Sequence, residues 1–327
     1  MSTTKFGWGI IGLGNIASSF ATGLQSIDDA ELIGVGSRSQ EKADAFAERF
    51  HAQHAYSSYE ELAANPDIDA IYIATPHTSH CENTIMCLNA GKAVLCEKPF
   101  AVNLRQANAM VTAAKTNNVF LLEAMWTRYL PLIVKVRELL ATGAIGEPRM
   151  LQADFGFQAG FNPESRLFNP ELGGGALLDV GVYTLSLASM VFGTPTAVAG
   201  LANLGQSGVD EESAFVLKHS KGQLSILSTA IRLNTLHEAV ILGTEGSIRI
   251  HSPWWVPKSL TLKCGGAEEV LEIPFVGNGY NYEALEVMDC VRAGKVESST
   301  LPLGETLEIQ STMELLREQW GLKYPSD

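Results

Sequence analysis

The sequence predicts an α/β protein in which a doubly wound parallel sheet is followed by a second, mixed α/β domain. Through about residue 123, short apolar runs alternate with helical stretches, which is the pattern of βαβ units. Beyond Trp126, two pairs of strand-like stretches are joined by "SKG" and "TEG", which are plausible hairpin turns. We therefore predict one domain over residues 1–123 and a second over residues 124–327.

The strand candidates of the first domain are continuous apolar runs. Continuity, rather than alternation, is expected of parallel strands that are covered on both faces. The runs are "GWGIIG", "ELIGVG", "AIYIAT", "AVLCE" and "VFLLEA". Between them, Ala43, Phe46, Ala47 and Phe50 recur at helical spacing in "SQEKADAFAERF", and "NLRQANAMVTAAKTN" is a further helix candidate.

The second domain begins with a helix candidate, "LPLIVKVRELLATGAIG". A glycine-rich and aromatic-rich span follows it. The hairpin candidates are "AFVLKHSKGQLSILSTAI" and "HEAVILGTEGSIRI", and "GETLEIQSTMELLREQW" is a final helix candidate.

Composition limits the classes of partner and the compartment. The 327 residues carry a net charge of −13, which disfavours nucleic-acid binding because that binding needs clustered Lys and Arg. Five cysteines without CxxC spacing fit free thiols in a reducing compartment, so we expect a cytoplasmic protein. The first residues lack the pattern of a signal peptide, and no apolar run reaches about 18 residues, so we expect no membrane partner.

A glycine-rich turn after the first strand predicts dinucleotide binding. Gly12, Gly14 and Ala17 form a GxGxxA pattern between a strand and a helix. Such a turn lets the backbone approach a pyrophosphate, and the helix then presents the N–H groups of Asn15 and Ile16 to the anion. The alternative is a purely structural turn.

The end of the second strand favours NADP(H) over NAD(H). An acidic residue usually holds the ribose hydroxyls of NAD at this place, whereas this chain has Ser37 and Arg38, with Lys42 one turn later. A cation and a hydroxyl suit a 2′-phosphate, which a carboxylate would repel. The alternative for Arg38 and Lys42 is an ordinary solvated helix start.

Five motifs in a fixed order carry a family resemblance: "GLGNIA", "ATPHTSH", "CEKPF", "EAMWTRYLP" and "GGGALLDVGVY". Together they resemble the glucose-fructose oxidoreductase, inositol dehydrogenase and MocA-like family, most closely its branch of dimeric dihydrodiol dehydrogenases and NADP-dependent D-xylose dehydrogenases. The resemblance implies an N-terminal Rossmann domain and a C-terminal α/β domain with a large, mostly antiparallel sheet. One face of that sheet would cover the active site, and the other would form a homodimer or higher homo-oligomer.

The same resemblance singles out catalytic candidates. Lys98 follows a strand of the parallel sheet, where ligands of such sheets bind, and Pro99 restricts its backbone. The family also implies a cis Lys98–Pro99 bond. Tyr183 stands where the family commonly has His, and Asp179 precedes it by four residues, on the same face of a helix.

We predict that Tyr183 is the acid/base, Lys98 its activator and Asp179 a substrate orienter. A phenol, whose ordinary pKa is about 10, needs a nearby ammonium to act as a base at neutral pH. The alternatives are a surface lysine at Lys98 and a buried core tyrosine at Tyr183.

Further residues belong near the cofactor by resemblance: Thr75, Pro76, His77, His80, Glu97, Trp126 and Arg128. For the histidines the alternative is polar packing, and for Trp126 it is the core. The i,i+3 histidines of "HTSH" lack a convergent Cys or carboxylate set, so no metal site is predicted.

Candidate substrate residues are Phe157, Arg166 and Tyr280. With Phe155 and Phe161, the aromatic residues could form a wall that suits the flat C–H surface of a sugar or a dihydrodiol. The alternation around Phe155 and Phe157 fits an ordinary strand equally well.

The predicted function is that of an NADP-dependent oxidoreductase, which moves hydride between the nicotinamide and a carbinol of a small-molecule sugar, cyclic polyol or trans-dihydrodiol. One alternative is a non-catalytic NAD(P)-binding regulator of the same fold, which need not keep both Lys98 and Tyr183. Another is an enzyme that holds NADP tightly through a closed oxidation-reduction cycle.

Overall fold

The computed structural model describes residues 5–327, and the chain divides into two compact units. The first unit contains the described residues up to Ala101, together with Arg105–Trp126 and Val276–Thr306. The second contains Val102–Leu104, Thr127–Phe275 and Leu307–Asp327. The single predicted boundary at residues 123 and 124 therefore differs from this division.

Within residues 5–327, the first unit holds a six-stranded parallel sheet in the order β3-β2-β1-β4-β5-β6. Its strands are β1 (Phe6–Ile11), β2 (Ala30–Gly36), β3 (His54–Tyr56), β4 (Ala70–Ile73), β5 (Ala93–Glu97) and β6 (Leu121–Ala124). The connecting helices are α1 (Asn15–Leu24), α2 (Gln40–Phe50), α3 (Tyr59–Ala63), α4 (His80–Asn89) and α5 (Leu104–Asn117). The predicted doubly wound sheet is confirmed.

Burial explains which strands the sequence predicted. Every residue of β1, β4, β5 and β6 is buried, so these strands are the continuous apolar runs of the sequence. The short edge strand β3 is only partly buried and was not predicted. The strand order reverses between β1 and β4, which creates a crevice at their carboxyl ends.

The elements that follow in the chain are the helices α6 (Pro131–Ala141), α7 (Val182–Phe192), α8 (Tyr280–Arg292) and α9 (Leu303–Trp320) and the strands β7 (Pro148–Gly156), β8 (Pro195–Leu204), β9 (Asp210–His219), β10 (Leu224–Ala230), β11 (Ala239–Gly243), β12 (Gly246–Ile250), β13 (Ser259–Cys264) and β14 (Ala267–Glu272). Short 3-10 helices occur at His77–Ser79, Trp126–Tyr129 and Pro170–Leu172, and a π-helix occurs at Leu177–Gly181.

Helix α8 belongs to the first unit because it packs on α1. The amide of Asn278 donates to the carbonyl of Ser19 over 2.7 Å, and a Cβ at Gly23 would lie 3.1 Å from the Tyr280 side chain. Arg292 also pairs with Asp29 at 2.8 Å. No local pattern in the sequence reports such long-range packing, which is why a single boundary was predicted.

The second unit holds an eight-stranded sheet in the order β14-β13-β12-β11-β7-β10-β9-β8. Only the β7 and β10 pairing is parallel, so the predicted large, mostly antiparallel sheet is confirmed. Both predicted hairpins are present, as β9 with β10 and as β11 with β12.

The two faces of this sheet differ. In β9, buried residues alternate with exposed ones, which is the pattern of a strand with one covered face. Helix α7 and the π-helix pack against β7 and β10. The opposite face exposes Leu201, Val216 and Ile226 at 83%, 41% and 42% of their surface.

One segment in residues 5–327, Pro170–Phe192, is long and apolar enough to cross a membrane by length and composition. In the structure, 78% of its most apolar window is buried, as is usual for a core helix. The same residues contain no cluster of three or more His, Cys, Asp or Glu side chains that could hold a metal ion.

Candidate active site

The turn after β1 needs a glycine at position 12. Gly12 has a φ of +84°, and a Cβ there would lie 2.6 Å from the carbonyl carbon of Ala74 and from the nitrogen of Thr75. Both the backbone conformation and the close approach to the end of β4 exclude a side chain. The turn therefore lies at the crevice where the strand order reverses, which is where ligands of such sheets bind.

Gly14 leaves room in front of helix α1. A Cβ at Gly14 would meet no atom within 4 Å, in contrast to Gly12. Within residues 5–327, no side chain caps the start of α1, and its first turn holds no acidic residue. The N–H groups of this turn, which includes Asn15 and Ile16, suit a pyrophosphate, so the residues present fit a dinucleotide.

The end of β2 presents an exposed cation. Arg38 and Lys42 are both exposed, whereas Ser37 is buried and its hydroxyl accepts the N–H of Ser39 over 3.2 Å. The hydroxyl of Ser39 in turn caps helix α2 by accepting the N–H of Lys42 over 3.4 Å. The loop is thus held by its own serines, while Arg38 extends from it.

The "CEKPF" motif is anchored by two buried glutamates. Glu97, the last residue of β5, accepts the hydroxyl of Tyr72 and, over 3.0 Å, the N–H of Lys98. Glu123 on β6 accepts the N–H of Phe100 over 3.0 Å. The half-buried Lys98 follows Glu97, and its bond to Pro99 is cis, as the resemblance implied.

His80 ties this motif to the end of β4. Its ring is fully buried, with Nδ1 2.9 Å from the carbonyl oxygen of Pro99 and Nε2 2.9 Å from that of Thr75. Burial lowers the pKa of His80, the two carbonyls oppose this effect, and Lys98 adds to it. His80 therefore links the end of β4 to the residues that follow β5. The ring centroid of His77 lies 5.7 Å from that of His80.

Trp126 and Tyr280 lie together in the first unit. Their rings are stacked, with centroids 4.5 Å apart and planes at 9°. From the sequence, Trp126 is expected near the cofactor and Tyr280 near the substrate. The structure brings the two residues together, although 153 intervening residues separate them in the chain.

In the second unit, Asp179 is paired with Arg166. The carboxylate of Asp179 is buried and accepts an N–H of the exposed Arg166 guanidinium over 2.8 Å. Asp179 lies in the π-helix, whereas Tyr183 lies in α7. Asp179 therefore lies in a π-turn and not in the regular α-helix that was expected to carry both residues.

Tyr183 contacts an aromatic cluster on the covered side of the sheet. The ring of Phe155 lies 5.3 Å from that of Tyr183 and stacks on Trp255 at 3.5 Å and 8°. His237 completes the cluster, 4.7 Å from Trp255 by ring centroid, and its ring nitrogen donates to the carbonyl of Gly156.

The sequence analysis did not find Trp255 and His237. They come from segments far from Tyr183 in the chain, and only the double tryptophan "WW" within "HSPWWVPK" could have drawn attention to one of them. Phe157 is half-buried, and its N–H donates to the carbonyl of Ala230 over 3.1 Å. Phe157 follows the end of β7, and the aromatic ring that packs against Tyr183 is that of Phe155, within the strand.

Arg128 is buried and bound to helix α7. Its Nε donates to the hydroxyl of Ser186 over 2.9 Å, and its Nη2 donates to the carbonyl of the same residue over 2.6 Å. These bonds fix Arg128 to the helix that carries Tyr183. The guanidinium therefore stabilises the position of α7, whether or not it also contacts the cofactor as predicted.

Comparison with known proteins agrees with this geometry. Residues 6–124 match the model of an oxidoreductase family with an NAD-binding Rossmann fold, and residues 133–249 match that of the GFO/IDH/MocA C-terminal domain. A trans-1,2-dihydrobenzene-1,2-diol dehydrogenase from Xenopus tropicalis is 37% identical over 330 residues, covering 97% of this chain and 99% of the relative.

Two solved structures share the fold. An aldose-aldose oxidoreductase from Caulobacter crescentus, complexed with glycerol, has a TM-score of 0.88 at 24% identity, covering 96% of this chain and 97% of that one. A 3-ketoreductase from Actinomadura kijaniata, in complex with NADP and TDP-benzene, has a TM-score of 0.86 at 23% identity, with the same coverage. On the two family models and the near full-length relatives, the chain belongs to the GFO/IDH/MocA family of oxidoreductases.

Proposed function

We propose that this chain is an NADP-dependent dehydrogenase that oxidises a carbinol of a trans-dihydrodiol or an aldose. The observation that carries the proposal is the 37% identity to a trans-1,2-dihydrobenzene-1,2-diol dehydrogenase over 97% of the chain. The chain also has both Lys98 and Tyr183, which a non-catalytic regulator of the same fold need not keep.

The surroundings of β2 support NADP(H) over NAD(H). The exposed Arg38 follows directly on the strand and Ser37, and Lys42 lies on the next helical turn. A guanidinium can donate two N–H groups to a phosphate in a fixed geometry, so Arg38 is the residue that would bind a 2′-phosphate. Gly12, Gly14, Asn15 and Ile16 would hold the pyrophosphate.

When bound, NADP would supply the hydride-accepting nicotinamide, and the residues of the chain would bind the substrate and move the proton. Tyr183 would take the proton of the reacting hydroxyl at its phenolic oxygen, and the Lys98 ammonium would stabilise the phenolate that this requires. Asp179, held by Arg166 at 2.8 Å, would accept a hydrogen bond from a neighbouring hydroxyl and so orient the substrate. Glu97 and His80 fix the backbone on either side of Lys98.

The aromatic cluster of the second unit supports a cyclic substrate. Phe155 is buried beside Tyr183 and stacks on the half-buried Trp255, so Trp255 is the ring of this pair that keeps accessible apolar surface. Both a dihydrodiol ring and the C–H face of a sugar can pack on such a surface. The paired Asp179 and Arg166 supply the polar groups that bind hydroxyls.

We further infer a homodimer that forms through the exposed face of the eight-stranded sheet. Ile226 on β10 pairs with Val216 on β9, and Val216 pairs with Ala199 on β8, so the apolar side chains form a row across three strands. Burying this row removes apolar surface from water. Replacing Ile226 with Lys should shift the molecular mass in sedimentation from dimer to monomer, and a wild-type monomer would contradict the inference.

A cytoplasmic location is also a proposal. The five cysteines are free in the structure, as is usual for a protein kept in a reducing compartment. Cell fractionation with an antibody to the chain tests it, and recovery in a secreted fraction would contradict it.

The decisive experiment follows NADPH formation at 340 nm with a panel of aldoses, inositols and trans-dihydrodiols, and repeats the assay with NAD. We expect turnover of at least one cyclic diol or aldose with NADP and a lower kcat/KM with NAD. An equal or better value for NAD would contradict the cofactor assignment. Tight NADP binding without turnover of any compound would favour a regulator.

A further inference from the structure

Asp210, the first residue of β9, is a fully buried carboxylate that the proposed chemistry does not use. Its Oδ2 accepts the N–H of Leu177 over 2.7 Å, and the N–H of Ala176 also points to it. Leu177 begins the π-helix that holds Asp179 and leads into α7 with Tyr183. The carboxylate therefore caps the N-terminal end of the segment that carries both candidate residues.

The glycines before this segment allow the carboxylate to come so close. Gly175 has a φ of +116°, and a Cβ there would lie 2.2 Å from Oδ1 of Asp210 and 3.2 Å from the hydroxyl of Tyr324. A Cβ at Gly174 would lie 2.7 Å from the carbonyl oxygen of Leu167. The "GGG" of the sequence is thus a site of close packing, and any side chain at Gly175 would displace Asp210.

Tyr324 holds the same loop from a second direction. Its hydroxyl donates to the carbonyl of Gly174 over 2.6 Å, and its ring lies 4.5 Å from the guanidinium carbon of Arg317. Arg317 is buried, pairs with Asp327 and donates to the carbonyl of Val102 over 2.9 Å. Burial and the nearby Asp210 raise the pKa of Tyr324, so the phenol stays protonated and remains a donor.

We infer that Asp210 and Tyr324 are positioning residues, which clamp the Gly174–Gly175 loop and thereby fix the orientation of Asp179 and Tyr183 for proton transfer. The inference rests on the proposed function, because it assumes that Tyr183 and Asp179 act on the substrate. Neither clamp residue needs to touch substrate or cofactor. Their effect passes through the backbone of residues 174–177, because each binds a backbone group of that stretch.

The electrostatics of Asp210 give the clamp a pH dependence. Burial raises the pKa of Asp210 to about 7, while the N–H of Leu177 and the cation of Arg317 oppose that rise. Because this pKa lies above the ordinary value of a carboxyl group, the closed clamp holds the proton more tightly than an opened, solvated one. This contribution to the clamp is therefore present at low pH and is lost as the pH rises towards about 7.

The other ionisable groups in these surroundings are Arg317 on α9, its partner Asp327, and Tyr324. On β8, the residue paired with Asp210 is the apolar Leu204, so that strand adds no charge at this position. Arg317 stays charged throughout the pH range of interest, because an arginine is not deprotonated in proteins.

The test compares Tyr324→Phe and Asp210→Asn with two matched controls. Tyr282→Phe removes a hydroxyl that accepts the N–H of Val276, and Asp69→Asn alters a carboxylate that accepts the N–H of Gly7. Both control residues lie in the first unit, away from the clamp. Tyr324→Phe removes one oxygen only, so it keeps the test valid if Asp210→Asn folds poorly.

We expect kcat to fall about 10-fold to 100-fold in both clamp variants, because small misplacements of catalytic groups are costly. The dissociation constant of NADP should stay within about twofold, since the clamp lies outside the dinucleotide-binding unit. Hydrogen exchange in peptides that cover residues 174–183 should accelerate in the clamp variants and not in the controls. In the wild type that exchange, corrected for its intrinsic rate, should also rise as the pH rises from about 4 to about 7, a pH effect that Asp210→Asn removes.

Unchanged exchange, or faster exchange with unchanged kcat, would overturn the inference. If the wild-type chain oxidises no compound of the panel, the proposed function fails, and the exchange measurement then decides on the clamp by itself. In that case faster exchange in residues 174–183 supports the clamp, and unchanged protection overturns it.

Discussion

The two units position their candidate residues in different ways. In the first unit, the residues follow directly on parallel strands: Gly12 after β1, Ser37 after β2, Thr75 near the end of β4 and Lys98 after β5. In the second, Asp179 and Tyr183 lie in a helical segment that packs on a sheet, and their neighbours Phe155, Trp255 and His237 come from separate strands and loops. A strand-end site is set by local sequence, whereas a helix-on-sheet site depends on long-range packing.

The buried carboxyl groups show the same contrast. Asp210 in the second unit accepts the N–H of Leu177 at a helix start through Oδ2, whereas within residues 5–327 its Oδ1 has no hydrogen-bond partner. Glu283 in the first unit is fully buried, and within residues 5–327 neither of its oxygens has a hydrogen-bond partner. Both carboxyls therefore cost free energy of folding when they are charged, but Asp210 offsets part of that cost through its bond to Leu177, and Glu283 has no such bond within residues 5–327.

The largest expected effect concerns the chemistry assigned to the second unit. Tyr183→Phe should lower kcat about 100-fold to 10,000-fold, the range that general acid–base groups contribute, with little change in NADP binding. Steady-state kinetics and fluorescence titration with NADP measure the two quantities. Tyr282→Phe serves as the control and should behave like the wild type. Near-normal turnover of Tyr183→Phe would remove the residue from the mechanism.

A smaller effect is expected where the first unit binds the cofactor. Arg38→Ala should raise the KM for NADP about 10-fold to 100-fold, because it removes hydrogen bonds to a charged phosphate, and should leave the KM for NAD nearly unchanged. Kinetics with each cofactor at saturating substrate test this. An equal change in the KM values for NADP and NAD would show that Arg38 does not bind the 2′-phosphate. Arg49→Ala, on the far turn of α2, is the matched control.

The smallest expected effect is on stability and comes from Glu283. Burial raises its pKa well above the ordinary value, and the nearby Glu97 adds to the rise. The folded state thus holds the proton more tightly than the unfolded state, so this contribution to stability is present at low pH and is lost as the pH rises.

Glu283→Gln removes that titration. The Tm of the variant should rise relative to that of the wild type as the pH increases from about 5 to about 9. The difference should be about 2–4 °C for each kcal/mol by which ionised Glu283 destabilises the wild type. Thermal unfolding at several pH values measures the difference. A constant offset between the two proteins would show that Glu283 does not titrate in the folded state. Glu286→Gln, on the same helix but only half-buried, is the control.

The sequence identified the strand ends of the first unit and the residues that follow them for a physical reason. A positive φ and a close backbone contact require glycine at position 12, and Lys98 follows directly on a buried strand. Both features can be recognised from neighbouring residues in the sequence. The same holds for the hairpins of the second unit, whose strands and turns are adjacent in sequence.

The remainder could not be predicted because it depends on contacts distant in the chain. The addition of Val276–Thr306 to the first unit results from packing of α8 on α1, and the Trp126 and Tyr280 stack depends on that packing. The π-helix at Leu177–Gly181 has no pattern of its own in an apolar stretch, so a regular α-helix was the default expectation.

The proposed mechanism couples the function of Lys98 to that of Tyr183, and a double-mutant cycle tests this proposal most directly. The measured quantity is kcat with NADP and the best substrate for Lys98→Met, Tyr183→Phe and the double variant. If the ammonium acts by activating the phenol, the double variant should be no more than about threefold slower than the slower single variant, because residues that act as a unit are not additive. Losses that multiply in the double variant, or near-normal turnover in either single variant, would contradict the claim.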